Sequence, residues 1–169
     1  MIISSIEIAN LEKELPEANK GYREDFFSIS GFPHWETVMS NWLGLFLDSS
    51  KNHGFSGLFV ESLKAIILSK KTEAQVDWLN DQTLVFQEQM TKKGNFIDLV
   101  VFDEALNEGN SFVNALVIEH KVEAALYNDL QDYFDSISVE SSKIGIVISA
   151  KSLQIYNANF LNVTYNELV

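Results

Sequence analysis

The sequence contains no cysteine and only three histidines in 169 residues. The lack of cysteine excludes a disulfide framework and thiolate metal ligands, and three histidines leave carboxylates as the main ligands for any metal. A metal held mainly by carboxylate oxygens is expected to be a hard cation. Any metal chemistry in this chain should therefore use Asp and Glu.

Long apolar runs are also missing. No stretch approaches the roughly 20 consecutive apolar residues that a membrane-spanning helix requires. The first eight residues, 1–8, carry neither a basic segment nor a long apolar core of the kind found in secretion signals. We therefore expect a cytoplasmic protein without a membrane partner.

Positive charge is scarce, since 12 Lys and Arg stand against 24 Asp and Glu and give a net charge of −12. Such a balance opposes nucleic-acid binding, which draws much of its affinity from Lys and Arg contacts to phosphate. Only two small basic clusters, Lys70-Lys71 and Lys92-Lys93, remain to approach phosphate. Residues 122–142 contain several acids and no Lys or Arg; the acids are Glu123, Asp129, Asp132, Asp135 and Glu140.

The length and composition predict one globular domain. With 46% hydrophobic and 21% charged residues the chain resembles an average soluble fold, and 169 residues are too few for two domains of ordinary size. Residues 1–31 read as an N-terminal extension with a weak helix near 11–15. The chain ends at Val169 soon after its last predicted strand, and one expectation is that the natural protein continues further.

Hydrophobic periodicity predicts an α/β fold with the order αα-βββ-α-β and a mixed sheet flanked by helices. A helical period runs through two segments near the start and through a third that follows Glu123 and extends to Ile137. Strand-like composition marks three consecutive segments, then a buried strand reached through the third helix, and a last short strand. In chain order the predicted elements are helices 35–47 and 58–68, strands 83–87, 96–102 and 115–121, helix 123–137, and strands 144–148 and 160–165.

Three charged residues fall inside the predicted sheet. Because side chains alternate along a strand, Glu119 and Lys121 should share one face while His120 points to the other. Asp98 lies inside the preceding strand, where pairing can bring its carboxylate beside Glu119. Burying these charges requires a compensating partner. Either Lys121 forms a structural ion pair with one acid, or both acids bind a divalent cation and Lys121 acts on phosphate.

The arrangement resembles the core of the PD-(D/E)XK nuclease superfamily, with Asp on the second strand, Glu-x-Lys on the third and an amphipathic helix after it. Residues 96–100 resemble the first-acid strand of that superfamily, and 117–121 resemble its Glu-x-Lys strand. One bacterial branch also opens with a Glu-bearing helix, a His-Gly turn and a Phe-containing helix, which is similar to Glu36, His53-Gly54 and Phe59 here. The resemblance spans residues 35–149.

The resemblance implies roles for individual residues. Asp98 and Glu119 would bind Mg²⁺ or Mn²⁺, together with the His120 carbonyl, and Lys121 would orient water and stabilise charge on phosphate. Glu36 would complete the site, although an acid near a helix N-terminus is also favoured by the helix dipole alone.

The next helix departs from the branch pattern Gln-Leu-x-x-Tyr, since Asp129 stands where Gln is expected. Gln131 is a candidate substitute. The side chains of His34 and His53 are expected to be loop structure, because no nucleophilic motif accompanies them. The side chain of His120 faces away from the metal and is expected to be a packed core or interface residue.

The function implied is that of a metal-dependent nuclease acting on nucleic acid, DNA in the first place, in a bacterial or phage defence context. A homodimer is expected because many members of the superfamily are dimers. A protein partner or a missing C-terminal region would supply the basic surface that the chain lacks. The alternative is a catalytically inactive relative that binds a protein through its acidic surface.

Overall fold

The structure is a computed structural model that describes residues 36–48, 50–55, 57–103, 111–122 and 128–168. The helix predicted near 11–15, the start of the helix predicted at 123 and His34 lie outside these residues. In chain order the elements are α1 (Glu36–Leu47), α2 (Leu58–Lys70), β1 (Leu84–Met90), β2 (Phe96–Phe102), β3 (Ala115–Lys121), α3 (Leu130–Ser136), β4 (Lys143–Ser149), β5 (Phe160–Thr164) and a short 3-10 helix (Tyr165–Glu167).

The strands form one mixed sheet in the order β1-β2-β3-β4-β5. The pairs β1-β2 and β2-β3 are antiparallel, as expected for consecutive strands joined by turns. The pairs β3-β4 and β4-β5 are parallel, and the connection from β3 to β4 passes through α3. The predicted α/β class, mixed sheet and element order are confirmed.

Apolar side chains cover both faces of this sheet. Leu116 and Ile118 of β3 pack in one cluster with residues of α1 and α2, whereas Val117 packs in a second cluster with Leu130 and Tyr133 of α3. All seven residues of β3 are buried. The Glu-x-Lys segment therefore lies on the buried central strand of the sheet, where an unpaired charge is costly.

The regular pairing of β2 is interrupted at Asp98. Its neighbour Leu99 pairs with Gln87 of β1 and with Ile118 of β3, but Asp98 has no ladder partner in either strand. Glu88, which faces Asp98 across the β1-β2 pair, has a φ of 51°, an uncommon conformation for a residue other than glycine. The sheet thus opens locally at the predicted acid.

A helix long and apolar enough to cross a bilayer is absent from the ranges that the structure describes.

Candidate active site

Asp98 occupies the gap that opens between β2 and β3. Its Oδ2 accepts a hydrogen bond of 2.7 Å from the backbone N–H of His120. Burial raises the pKa of Asp98 above its ordinary value, and the bond from the His120 amide opposes that rise. The carboxylate therefore takes the place of a strand carbonyl as the acceptor for this amide.

Glu119 lies beside Asp98 and is almost fully buried, with 2% of its surface exposed. Its Oε1 is 2.9 Å from Lys121 Nζ, while its Oε2 is buried and, when both acids are ionised, has no donor in the described part of the chain. A proton on either acid would join Glu119 to the Asp98 carboxylate. Burial and the neighbouring Asp98 carboxylate raise the pKa of Glu119 to about 8. Two acids thus share a site that disfavours both being ionised.

Lys121 is held between two carboxylates. Its Nζ lies 2.9 Å from Glu119 Oε1 and 3.1 Å from Glu36 Oε2. Burial alone lowers the pKa of Lys121, but the charges and hydrogen bonds of Glu119 and Glu36 outweigh it and the net pKa is raised. The ammonium is therefore charged and fixed in position at neutral pH.

Glu36, the first residue of α1, joins this helix to the end of β3. Besides its bond to Lys121, its Oε1 accepts a hydrogen bond of 3.3 Å from the backbone N–H of Val122. These contacts place Glu36 with Asp98, Glu119 and Lys121, which we call the acid cluster. Three carboxylates and one ammonium leave two surplus negative charges when all are ionised, so the lysine alone does not neutralise the cluster.

The side chain of His120 points away from the acid cluster, as the strand alternation predicts. It is completely buried, and its Nδ1 lies 2.7 Å from Ser40 Oγ on α1. Burial lowers the pKa of His120 to about 4, so the imidazole is neutral under physiological conditions. The use of the His120 carbonyl as a metal ligand stays a prediction.

Gln131 makes its hydrogen bonds elsewhere. Its amide donates to Asp135 Oδ1 at 2.9 Å and accepts from Asn157 Nδ2 at 3.2 Å, and the side chain is exposed. None of its hydrogen bonds in the described residues reaches the acid cluster. Asp129, at the position where Gln was expected, instead caps the N-terminus of α3 through the backbone N–H of Asp132. A catalytic role for Gln131 stays a prediction without a supporting contact.

Tyr133 of α3 is a neighbour of the acid cluster to which the sequence reading gave no role. Burial raises the pKa of its phenol, and the charges of Glu119 and Asp98 act on it in the same direction. Its hydroxyl accepts a hydrogen bond of 2.7 Å from Asn128. The signal was present in the sequence as the Leu-x-x-Tyr spacing of the helix, which places this ring on the face that packs against the sheet.

Three of the four lysines expected to approach phosphate make contacts within the chain. Lys93 Nζ lies 2.6 Å from Asp129 Oδ2, and Lys92 Nζ donates to the backbone carbonyl of Asp135 at 2.9 Å. Lys70 Nζ lies 2.6 Å from Glu167 Oε1. These intramolecular partners reduce the positive charge available to an external phosphate.

The acid cluster offers oxygen ligands of the type that Mg²⁺ and Mn²⁺ prefer. Among the described residues, no group of three or more His, Cys, Asp or Glu side chains has the arrangement of a metal site. Asp98 and Glu119 are a pair of adjacent carboxylates and not a group of three. The unpartnered Oε2 of Glu119 fits such a role, because a buried carboxylate oxygen needs a donor or a cation.

The family model of the PD-(D/E)XK nuclease superfamily matches residues 24–167, a segment that includes every residue of the acid cluster. The searches of curated proteins and of solved structures found no match.

Proposed function

Because the chain belongs to the PD-(D/E)XK nuclease superfamily, we propose that it is a metal-dependent nuclease that hydrolyses phosphodiester bonds in DNA. The observation that supports this best is the state of Glu119. A carboxylate that is 2% exposed, adjoins Asp98 and leaves one oxygen without a partner in the described residues is poorly stabilised by protein groups alone. A divalent cation would resolve both the repulsion and the missing contact.

Asp98 and Glu119 would hold Mg²⁺ or Mn²⁺, with the His120 carbonyl as a further oxygen donor. Once bound, the cation would polarise a phosphate oxygen and lower the pKa of a bound water. Asp98 is oriented for this task by the His120 N–H, which fixes one of its oxygens. Glu119 is fixed by Lys121 through Oε1, which leaves its second oxygen without a donor in the described residues.

Lys121 would stabilise negative charge that develops on the phosphate. Its ammonium has three protons, and only two of them are used by Glu119 and Glu36. Glu36 would act as the support that keeps Lys121 at the end of β3. A well-placed donor of this kind contributes about 10² to 10³ in rate.

The net charge of −12 opposes binding of the negatively charged DNA backbone. Because Lys70 and Lys93 are already paired with acids, the phosphate backbone would find little free positive charge on the described surface. We propose that a partner protein or a further region of a longer chain supplies this charge and recruits the enzyme, as a restriction or phage-defence nuclease would require. A homodimer is part of the same proposal.

The test is cleavage of plasmid and single-stranded DNA by the wild type, Asp98→Ala and Lys121→Ala, with Mn²⁺ or Mg²⁺ and with EDTA. We expect metal-dependent cleavage that Asp98→Ala abolishes and Lys121→Ala slows by about 10² to 10³. Lys151→Ala is the matched control, because Lys151 is exposed and lies outside the acid cluster. Cleavage of RNA but not of DNA would overturn the choice of substrate.

The paired lysines also favour a second function, in which an inactive relative binds a basic partner protein through its acidic surface. Metal binding separates the two. A ligand that binds only the folded state raises the melting temperature, so Mn²⁺ should stabilise the wild type and not Asp98→Ala. No metal-induced shift together with no cleavage would favour the interaction function.

A further inference from the structure

Two polar atoms near the acid cluster are buried without a hydrogen-bond partner in the described residues. They are Nε2 of His120 and the hydroxyl of Tyr165. The two rings are neighbours, with centroids 6.1 Å apart and planes inclined at 40°. Leaving either atom unpaired costs free energy, and most buried polar groups in folded proteins are paired.

The hydrogen bonds of Ser40 determine what Nε2 needs. Ser40 Oγ donates to the backbone carbonyl of Glu36 at 3.0 Å, which uses its single proton. With the proton placed there, the imidazole donates in the 2.7 Å contact between its Nδ1 and Ser40 Oγ, a contact that by itself fits either tautomer. A neutral imidazole has only one N–H, so Nε2 is a bare acceptor and needs a donor.

Tyr165 can supply that donor. It begins the 3-10 helix that follows β5, and this turn is held by bonds between Thr164 and Glu167 and by the Lys70–Glu167 ion pair. Burial raises the pKa of the Tyr165 phenol, and the charges of Glu36 and Asp98 add to the rise, so the hydroxyl keeps its proton. Neither atom has a partner in the described residues as the rings now lie, so the contact requires a change in the side-chain torsions, which the ring separation of 6.1 Å allows.

We propose that Tyr165 is a positioning residue for the active site, because its hydroxyl donates to Nε2 of His120. The resulting chain runs from Tyr165 through His120 and Ser40 to the carbonyl of Glu36. It joins the 3-10 helix to the end of β3 and the start of α1, and the last two elements carry parts of the acid cluster.

This row of hydrogen bonds acts on the proposed metal ligands through the backbone of His120. The backbone N–H of His120 donates to Asp98 Oδ2, and Glu119 directly precedes His120 in the sequence. Fixing the imidazole at both nitrogens therefore fixes the backbone between the two acids. This effect on metal binding rests on the proposed function, whereas the hydrogen bond itself does not.

Tyr165→Phe tests the bond through stability, because the two possibilities predict opposite signs. If the hydroxyl has no partner, its removal stabilises the fold or leaves it unchanged; if it donates to His120, its removal strands Nε2 and lowers the melting temperature. We expect a lower melting temperature. Tyr156→Phe is the matched control, since Tyr156 is 88% exposed and should melt as the wild type does.

A ¹⁵N spectrum of histidine-labelled protein gives an independent readout that a general loss of packing would not imitate. Protonated and bare imidazole nitrogens have well-separated shifts, so His120 should show a protonated Nδ1 and a hydrogen-bonded, bare Nε2. Tyr165→Phe should move the Nε2 signal and leave Nδ1 protonated. A protonated Nε2 in the wild type, or an Nε2 signal unmoved by the substitution, overturns the proposal.

Calorimetric titration with Mn²⁺ tests the positioning role. Loss of a hydrogen bond that orients a metal site from its second layer typically weakens metal binding by 10- to 100-fold, and we expect about 10-fold for Tyr165→Phe and no change for Tyr156→Phe. If Tyr165→Phe moves the Nε2 signal but leaves the Mn²⁺ affinity unchanged, the positioning role is overturned and the hydrogen bond stands. No Mn²⁺ binding by the wild type would instead overturn the proposed function and leave the hydrogen bond standing.

Discussion

Replacing Glu119 with glutamine should make the metal-free protein more stable than the wild type. This gain in stability should be large at pH 8 and small at pH 5. The glutamine amide can accept from Lys121 as the carboxylate does, and it can donate to Asp98 as a protonated acid would. The variant is therefore a mimic of the protonated site. Any difference from the wild type then reports the ionisation of Glu119.

The magnitude follows from the raised pKa of Glu119, about 8 in the fold against 4.5 for the free side chain. Between these values the unfolded chain releases the proton and the folded chain keeps it, so the wild type loses stability as pH rises through this window. The loss relative to a protonated site is about 1 kcal/mol at pH 5 and at most about 4 kcal/mol at pH 8. The gap between the two proteins should widen accordingly.

The assay is denaturant unfolding of both proteins in EDTA at pH 5 and pH 8, with Glu73→Gln as an exposed control. The measurement is then repeated with Mn²⁺, where 100-fold excess over the dissociation constant would stabilise the wild type by about 2.7 kcal/mol. We expect Mn²⁺ to narrow the difference in stability at pH 8 by about that amount, because Glu119→Gln lacks one of the proposed metal ligands. A gap between wild type and Glu119→Gln that is the same at both pH values would refute the reasoning.

Two further predictions concern the framework of the site. Gly145→Ala should destabilise the protein by about 1 to 3 kcal/mol, because an added Cβ would lie 2.5 Å from ring atoms of the buried Phe160; an unchanged denaturation midpoint would contradict this. Asp103→Ala should cost about 1 to 3 kcal/mol, because Asp103 Oδ1 accepts the backbone N–H groups of Val113 and Asn114 at 3.1 Å each. Asp103→Asn keeps that acceptor and should retain most of the stability, and equal losses in both variants would rule out the explanation.

The strands that carry the acids were predictable because their composition leaves little choice. The predicted ranges 96–102 and 115–121 agree with β2 and β3, which are continuous runs of mainly β-branched and apolar residues. The outer strand β1 was predicted to end at Gln87 but continues to Met90. Glu88 and Gln89 are polar, and the apolar Met90 is exposed, so these residues show no pattern of a buried face and only pairing with β2 reveals them.

The acid cluster was predictable in part. Strand alternation placed Glu119 and Lys121 on one face, and the structure brings them within 2.9 Å. The contact of Glu36 with Lys121 depends on how α1 crosses the sheet, which spacing along the chain does not reveal. The same holds for Ser40 and Tyr165, which lie 80 and 45 residues from His120 and reach it only through packing.

The amide of His120 differs from its neighbours in β3 because its acceptor is a carboxylate and not a backbone carbonyl. The rate of amide hydrogen exchange at this single position should therefore change when a cation or a proton binds to Asp98. A cation or a proton that takes charge from Asp98 Oδ2 weakens the acceptor, while the amides of Val117 and Ile118 keep their strand partners. Exchange of the His120 amide thus reports whether Asp98 is bound to a cation or a proton, and the measurement needs no attached probe and no substrate.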